Sequence, residues 1–299
     1  VGRRNFKPLP WELVEERARA TVAQMTRKER FSLLRGIGWK QPTTDDPFPG
    51  FMAIPGYYTG NTPAIPRLSL PALKMQDASQ GFRPGDDVPL GSTTAYPSML
   101  ALASTWDPKL VEFLAAAVAK EFSGKGANVL LGPGVQVHRV AMGGRNFEYL
   151  SGDDPHLGAR LASAFIKGVQ SEGVMAVAKH FAFNEQETNR HTHNVEVDAR
   201  TAWELYYPPF EAAVEAGVCA FMCSYNKVNG THACTNPELL KRDLKGKMGF
   251  RGFVQADWGA TYTYKWAVER GLDQNMPGND GLWTDDVLSK VKPGFVEEA

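Results

Sequence analysis

The chain has 299 residues, and its 33 basic and 33 acidic side chains give a formal net charge of zero. That balance excludes a global attraction to nucleic acid or an anionic membrane, and no run reaches the ~18 apolar residues of a membrane span. A hydrophobic content of 43%, with 7 Trp, 16 Phe and 9 Tyr, marks a folded chain of one large domain or two small ones, and 3 Cys exclude a disulfide-dense scaffold or a paired-Cys zinc site.

The start at Val1-Gly-Arg-Arg, without Met, suggests a processed chain or a fragment. Residues 11–34 carry Leu13, Val14, Ala18, Val22, Met25 and Leu33 at helical intervals and predict an amphipathic helix. Residues 36–71 are rich in Pro and Gly and predict a long surface loop. Short apolar runs then alternate with helical patterns. The runs are 72–76, 98–105, 128–131, 174–178, 218–223, 253–256 and 272–276, and the helical patterns are 108–122, 157–171, 201–216 and 237–245. Such alternation predicts βαβ units with a parallel sheet. Seven candidate strands fit a (β/α)₈ TIM-type barrel better than an open doubly wound sheet, which stays the structural alternative.

In such a barrel the working residues stand where strands end. Here the runs end on Asp77, on Lys179-His180, on Ser224-Tyr225-Asn226 and on Asp257-Trp258, and a glycine-hinged loop carries Arg145. Any single polar residue after a strand reads first as a helix cap or turn. The shared pattern reads instead as a site: carboxylates and cations hydrogen-bond hydroxyls, and an aromatic ring packs on a sugar's apolar face.

The stretches Gly143-Gly-Arg-Asn-Phe-Glu148, Lys179-His-Phe, Asn184-Glu-Gln-Glu187, Met222-Cys-Ser-Tyr-Asn226 and Gly252-Phe-Val-Gln-Ala-Asp-Trp-Gly259 resemble glycoside hydrolase family 3, in its β-glucosidase/β-xylosidase branch. Flanking stretches such as Gln80-Gly-Phe-Arg83, Gly271-Leu-Asp273 and Met276-Pro-Gly278 agree, and the likeness runs in order from about residue 18 to about 280. The resemblance implies a retaining, exo-acting β-glucosidase with Asp257 as nucleophile. It implies that Asp77, Arg145, Lys179, His180 and Tyr225 hold the glycone, that Trp258 is an aromatic wall, and that Met222 lies beside the same subsite. Lys179 and Arg145 are expected to keep Asp257 ionised by lowering its pKa. The implied substrate is a β-linked glucoside or oligosaccharide, with no cofactor, no metal, no nucleic acid and no membrane.

Ala78 and Ala256 depart from the family pattern, replacing a small or polar neighbour of each carboxylate without removing a reacting atom. In the resembled branch the acid/base Glu comes from a following α/β sandwich domain. Residues 1–299 are therefore expected to be the barrel domain alone, lacking its last helix, with weak activity unless another chain supplies the acid. The stretch 291–299 is expected to begin that helix. The β-N-acetylglucosaminidase branch instead uses a His on the loop after the Lys-His strand, where His191 and His193 stand, but its Pro-Gly-His-Gly and Asp-Ser-His signatures are absent. Both His read as surface polar residues, and neither their spacing nor the glycines of 124–134 make a metal or dinucleotide site. Cys223 and Cys234 flank a turn-rich segment, and the resemblance favours a disulfide between them, with Cys219 left over. Asn229-Gly-Thr231 is a glycosylation sequon that matters only in a secreted chain. Localisation stays open, with secretion favoured. The alternatives are a β-xylosidase, a β-N-acetylglucosaminidase, or a carbohydrate-binding module that has lost turnover.

Overall fold

In a computed structural model of the chain, which describes residues 7–40, 52–53, 56–84, 91–278, 281 and 283–290, the apolar runs form one curled, mixed sheet flanked by helices. Strands Phe253–Ala256, Ala220–Cys223, Met175–Phe181, Val129–Leu130 and Lys74–Gln76 lie parallel in that order, and Gly60–Asn61 adds an antiparallel edge. Main-chain hydrogen bonds continue past the Phe253–Ala256 edge. Ala256 N–H donates to Gln274 O at 2.9 Å and Asn275 N–H to Leu34 O at 2.8 Å. Gly36 N–H then donates to Asn275 O, and Ile37 N–H to Asn61 O on the other edge strand, both at 2.9 Å.

Side-chain alternation along the strands separates two apolar layers. Ala176, Ala178, Phe221 and Cys223 face outward into a core with Phe122, Phe165, Phe210 and Leu240. Val177, Ala220 and Met222 face inward, with Met75, Val129, Leu131 and Met276. Inward positions recur every second residue, so Asp77 follows Met75, and Lys179 follows Val177, onto the inner face at the C-terminal ends of their strands. The same step leads from Gln255, paired with Met222, to Asp257.

Four sequence readings are corrected. The run 98–105 is no strand: Met99–Ala103 is helical, with the Ser98 hydroxyl accepting from Ala101 N–H at 3.2 Å. Its Met-Leu-Ala-Leu-Ala core holds good helix formers and no β-branched residue. The run 272–276 makes only isolated bridges, Gln255 to Gln274 and Arg35 to Asn275. The stretch 36–71 is not wholly a surface loop, since it supplies the Gly60–Asn61 strand and buries Asn61 and Ile65. The 11–34 helix is two, Trp11–Gln24 and Arg27–Leu33. The expected helix start at 291–299 lies outside the described residues.

The break in that last pair has a cause in the sequence. Thr26 opens a capping box, accepting from Glu29 N–H at 3.3 Å while its own N–H donates to Glu29 Oε2 at 2.8 Å. Thr26→Ala should therefore cost about 1 kcal/mol, read as a lowered urea midpoint at unchanged slope.

Candidate active site

The centre of the site is Asp257. It follows the Phe253–Ala256 strand, its N–H donates to Cys223 O at 3.2 Å, and its Oδ1 accepts from Trp258 N–H at 2.7 Å. The side chain is 11% exposed, and its Oδ2 stands 3.3 Å from His180 Nε2. Around it lies a charged group built by two other segments. Arg145 Nε and Nη2 donate to Glu148 Oε2 and Oε1 at 2.8 and 3.0 Å, a two-pronged pairing on one turn of helix. Lys179 Nζ, at the end of the Met175–Phe181 strand, reaches Glu148 Oε1 at 2.7 Å and Asp77 Oδ1 at 3.9 Å. Asp77 Oδ2 is 3.4 Å from Arg83 Nη1.

This arrangement overturns one electrostatic expectation. Arg145 and Lys179 were to hold Asp257 below the ordinary carboxylate range, yet its pKa is raised. Burial is the largest cause; Arg145, Lys179 and the Trp258 N–H pull the other way and do not overcome it. Both cations also pair with Glu148, whose own pKa they hold far below the usual range against its burial. The sequence motif contains Glu148, but a carboxylate in a polar loop shows no sign of being the counter-ion that occupies two cations.

His180 is fully buried and contacts Gln136 and Tyr149 on the side away from Asp257. Burial first, then Arg145 and Lys179, push its pKa well below the ordinary imidazole value. Neither Gln136 nor Tyr149 carries a signal in the sequence that marks it as a partner of His180.

The rings form one flank. Tyr225 O–H donates to Trp258 O at 2.9 Å, and Trp258 Nε1–H donates to Thr59 O at 3.0 Å. Burial and the neighbouring Asp257 raise the Tyr225 pKa. The loop after the Met175–Phe181 strand lies against Tyr225: the Arg190 guanidinium is 4.2 Å from the ring centroid and the His191 ring 4.5 Å. Arg190 is tied to Glu187 at 2.7 Å, and His191 Nδ1 faces Tyr262 O–H at 3.0 Å. His191 is exposed, as the sequence reading placed it, and its ring also touches this flank. Met222 is 2% exposed and packs into the inner apolar layer with Met75 and Met276, beneath the polar groups. Asp77, Arg145, Lys179, His180, Tyr225, Asp257 and Trp258 are brought together at the strand ends. Among the described residues no group of three or more His, Cys, Asp or Glu is placed to hold a metal. Cys223 and Cys234 are joined by a disulfide, which ties the strand end before Tyr225 to the turn at Ala233–Thr235, and Cys219 is a free thiol whose pKa burial raises to about 11.

Carboxylates, cations and rings are thus gathered at the C-terminal ends of parallel strands in an α/β domain, the position where such folds most often bind small ligands. The Glycosyl hydrolase family 3 N terminal domain matches residues 62–275, and the chain belongs to that family. A β-glucosidase of Rhizobium radiobacter is 47% identical over 241 residues, 79% of this chain and 29% of its own length. Beta-glucosidase B of Emericella nidulans is 44% identical over 283 residues, 93% of this chain and 31% of its own length. Among solved structures, β-glucosidase 3B from Thermotoga neapolitana in complex with glucose superposes with a TM-score of 0.83 at 35% identity, covering 93% of this chain and 41% of that one. Beta-D-glucoside glucohydrolase from Trichoderma reesei gives 0.85 at 34%, covering 98% and 40%. The chain thus spans about a third of the length of these curated relatives.

Proposed function

We propose that this chain is the glycone-binding, nucleophile-bearing part of a retaining β-glucosidase, built on a (β/α)₈ barrel. The observation that carries the reading is the convergence of Asp257, buried at the end of its strand, with Asp77, Arg145, Lys179, His180, Tyr225 and Trp258 at the C-terminal ends of the parallel strands. The names of the relatives, all β-glucosidases, supply the sugar. The circuit of main-chain hydrogen bonds from Ala256 through Gln274, Asn275 and Gly36 to Asn61 supports closure of the curled sheet into a barrel.

Asp257 attacks the anomeric carbon of a terminal β-D-glucosyl unit, forming a covalent glycosyl-enzyme that water later hydrolyses. Asp77 and Lys179 bind adjacent hydroxyls and set the orientation for attack. His180 and Arg145 contact the hydroxyls nearer the nucleophile, Trp258 packs on the apolar face of the ring, and Met222 forms part of the floor. The leaving group needs a proton donor about 5 Å from the nucleophile. Glu148 is held ionised and Glu187 is paired with Arg190, which suits neither to that task. We assign the donor to a segment equivalent to the part of the relatives' length that this chain does not span.

A 2-deoxy-2-fluoro-β-glucoside with a dinitrophenolate leaving group needs no acid for the first step. It should label this chain covalently, with the adduct mapped by mass spectrometry to the peptide carrying Asp257, and Asp257→Asn should abolish the adduct. A folded chain that stays unlabelled, yet binds glucose, would replace this reading with that of a carbohydrate-binding module.

A further inference from the structure

We infer that Gln136 is a positioning residue that fixes the proton of the neutral His180 ring on Nδ1, leaving Nε2 to face Asp257 as a hydrogen-bond acceptor. The argument begins at the far end of the amide. Gln136 Nε2 donates to the main-chain oxygen of Asn184, and a carbonyl can only accept, so the amide has one orientation. Its Oε1 is then directed at His180, where it accepts from the backbone N–H at 3.0 Å and lies 2.9 Å from Nδ1. Gln136 and His180 are each 1% exposed, so no bulk water relieves an unfavourable contact there.

Three groups touch the ring nitrogens, and they differ in what they can change. The Tyr149 hydroxyl, 3.2 Å from Nδ1, rotates to donate or accept. Asp257 Oδ2, 3.3 Å from Nε2, accepts when ionised and donates when protonated. Gln136 Oε1 alone is obliged to accept. An unprotonated Nδ1 would set two lone pairs 2.9 Å apart in a buried site, whereas a protonated Nδ1 satisfies both. A doubly protonated ring is opposed by burial and by Arg145, Lys179 and Arg190.

With Nε2 unprotonated, the 3.3 Å contact to Asp257 is favourable only as O–H to nitrogen, with the proton on the carboxyl. The raised pKa of Asp257 agrees. The groups facing that carboxyl are Arg145, Lys179 and Arg190, which favour its ionisation, together with His180, His191, Tyr225 and Tyr262. A substrate hydroxyl entering beside His180 would donate to Nε2 in place of Asp257, whose proton then leaves to water under the pull of Arg145, Lys179 and Arg190, freeing the carboxylate.

Nitrogen-15 NMR of the histidine-labelled chain at neutral pH tests the tautomer directly, with the His180 signals assigned by their loss in His180→Asn. A neutral ring protonated at Nδ1 is expected; a ring protonated at Nε2, or an imidazolium, would overturn the inference. This measurement does not depend on Asp257 being a nucleophile. A second measurement does rest on the proposed function: the pH dependence of fluoroglucoside labelling. Gln136→Leu should move the proton to Nε2 and lower the labelling midpoint by about one pH unit, so that labelling below the midpoint is about tenfold faster. Gln136→Glu, which keeps an acceptor, should keep the Nδ1 proton and show no such fall. A Gln136→Leu chain with an unchanged tautomer and midpoint would also overturn the inference. A wild-type chain that never labels would count against the glucosidase reading alone, since the NMR result stands apart from it.

Discussion

Glu148→Gln is expected to destabilise the folded chain by about 3–5 kcal/mol at neutral pH, because it leaves two cations without the charge that offsets their desolvation. Glu148 and Lys179 side chains are 6% and 3% exposed, so water cannot take the place of the missing carboxylate. Arg145, at 23%, has some access to solvent and bears less of the cost. The sign with pH follows from the lowered pKa of Glu148. A depressed carboxylate contributes stability above its unfolded value of about 4.3, and that contribution is lost as pH falls through the folded value. The gap between wild type and variant should therefore be full at pH 7 and close in strong acid. Urea unfolding across pH measures it, and a constant gap would show that the loss is one of packing instead of charge. A second readout separates the electrostatic account from simple loosening. With Glu148 neutral, Arg145 and Lys179 act on Asp257 unopposed, so the midpoint of Asp257 labelling should fall even as the fold weakens.

Much of the site could be read from the sequence because parallel strands impose a rule. Inward side chains recur every second residue, and the first polar residue past an apolar run stands on the inner face at the strand's C-terminal end, as Asp77, Lys179 and Asp257 do. What could not be read is pairing across distant segments. Arg35 to Ile37 and Gly60–Asn61 have no strand pattern, because a stretch of two or three residues carries no periodicity, and their roles come wholly from bonds to Asn275 and Lys74. The 98–105 run shows the converse failure: a short apolar run looks the same in a strand and in a buried helical turn, and only the lack of β-branched residues in Met99–Ala103 and the Ser98 cap distinguish them. The direction of the Asp257 pKa was misjudged for a related reason: counting cations near a carboxylate leaves out its burial, which here outweighs them.

Glu185→Gln is expected to leave stability unchanged near pH 4 and to raise it by on the order of 2–4 kcal/mol at pH 8. Glu185 lies just beyond the Gln136 and Asn184 pair, and burial lifts its pKa to about 8, against the opposing pull of Gln136 and Arg139. The folded chain therefore keeps a proton that the unfolded chain releases above about pH 4.3. Wherever the folded state binds more protons, stability falls as pH rises, so the loss accumulates between about 4.3 and 8 and then levels off. Gln keeps the neutral shape and removes the titration. Asp257, also raised by burial, adds a slope of the same sign to both proteins. The quantity to measure is thus the difference in unfolding free energy between Glu185→Gln and wild type at pH 4.5, 6 and 8. A difference that grows with pH assigns the slope to Glu185. A flat difference would mean that its carboxyl is ionised in the fold, with Arg139 as its partner.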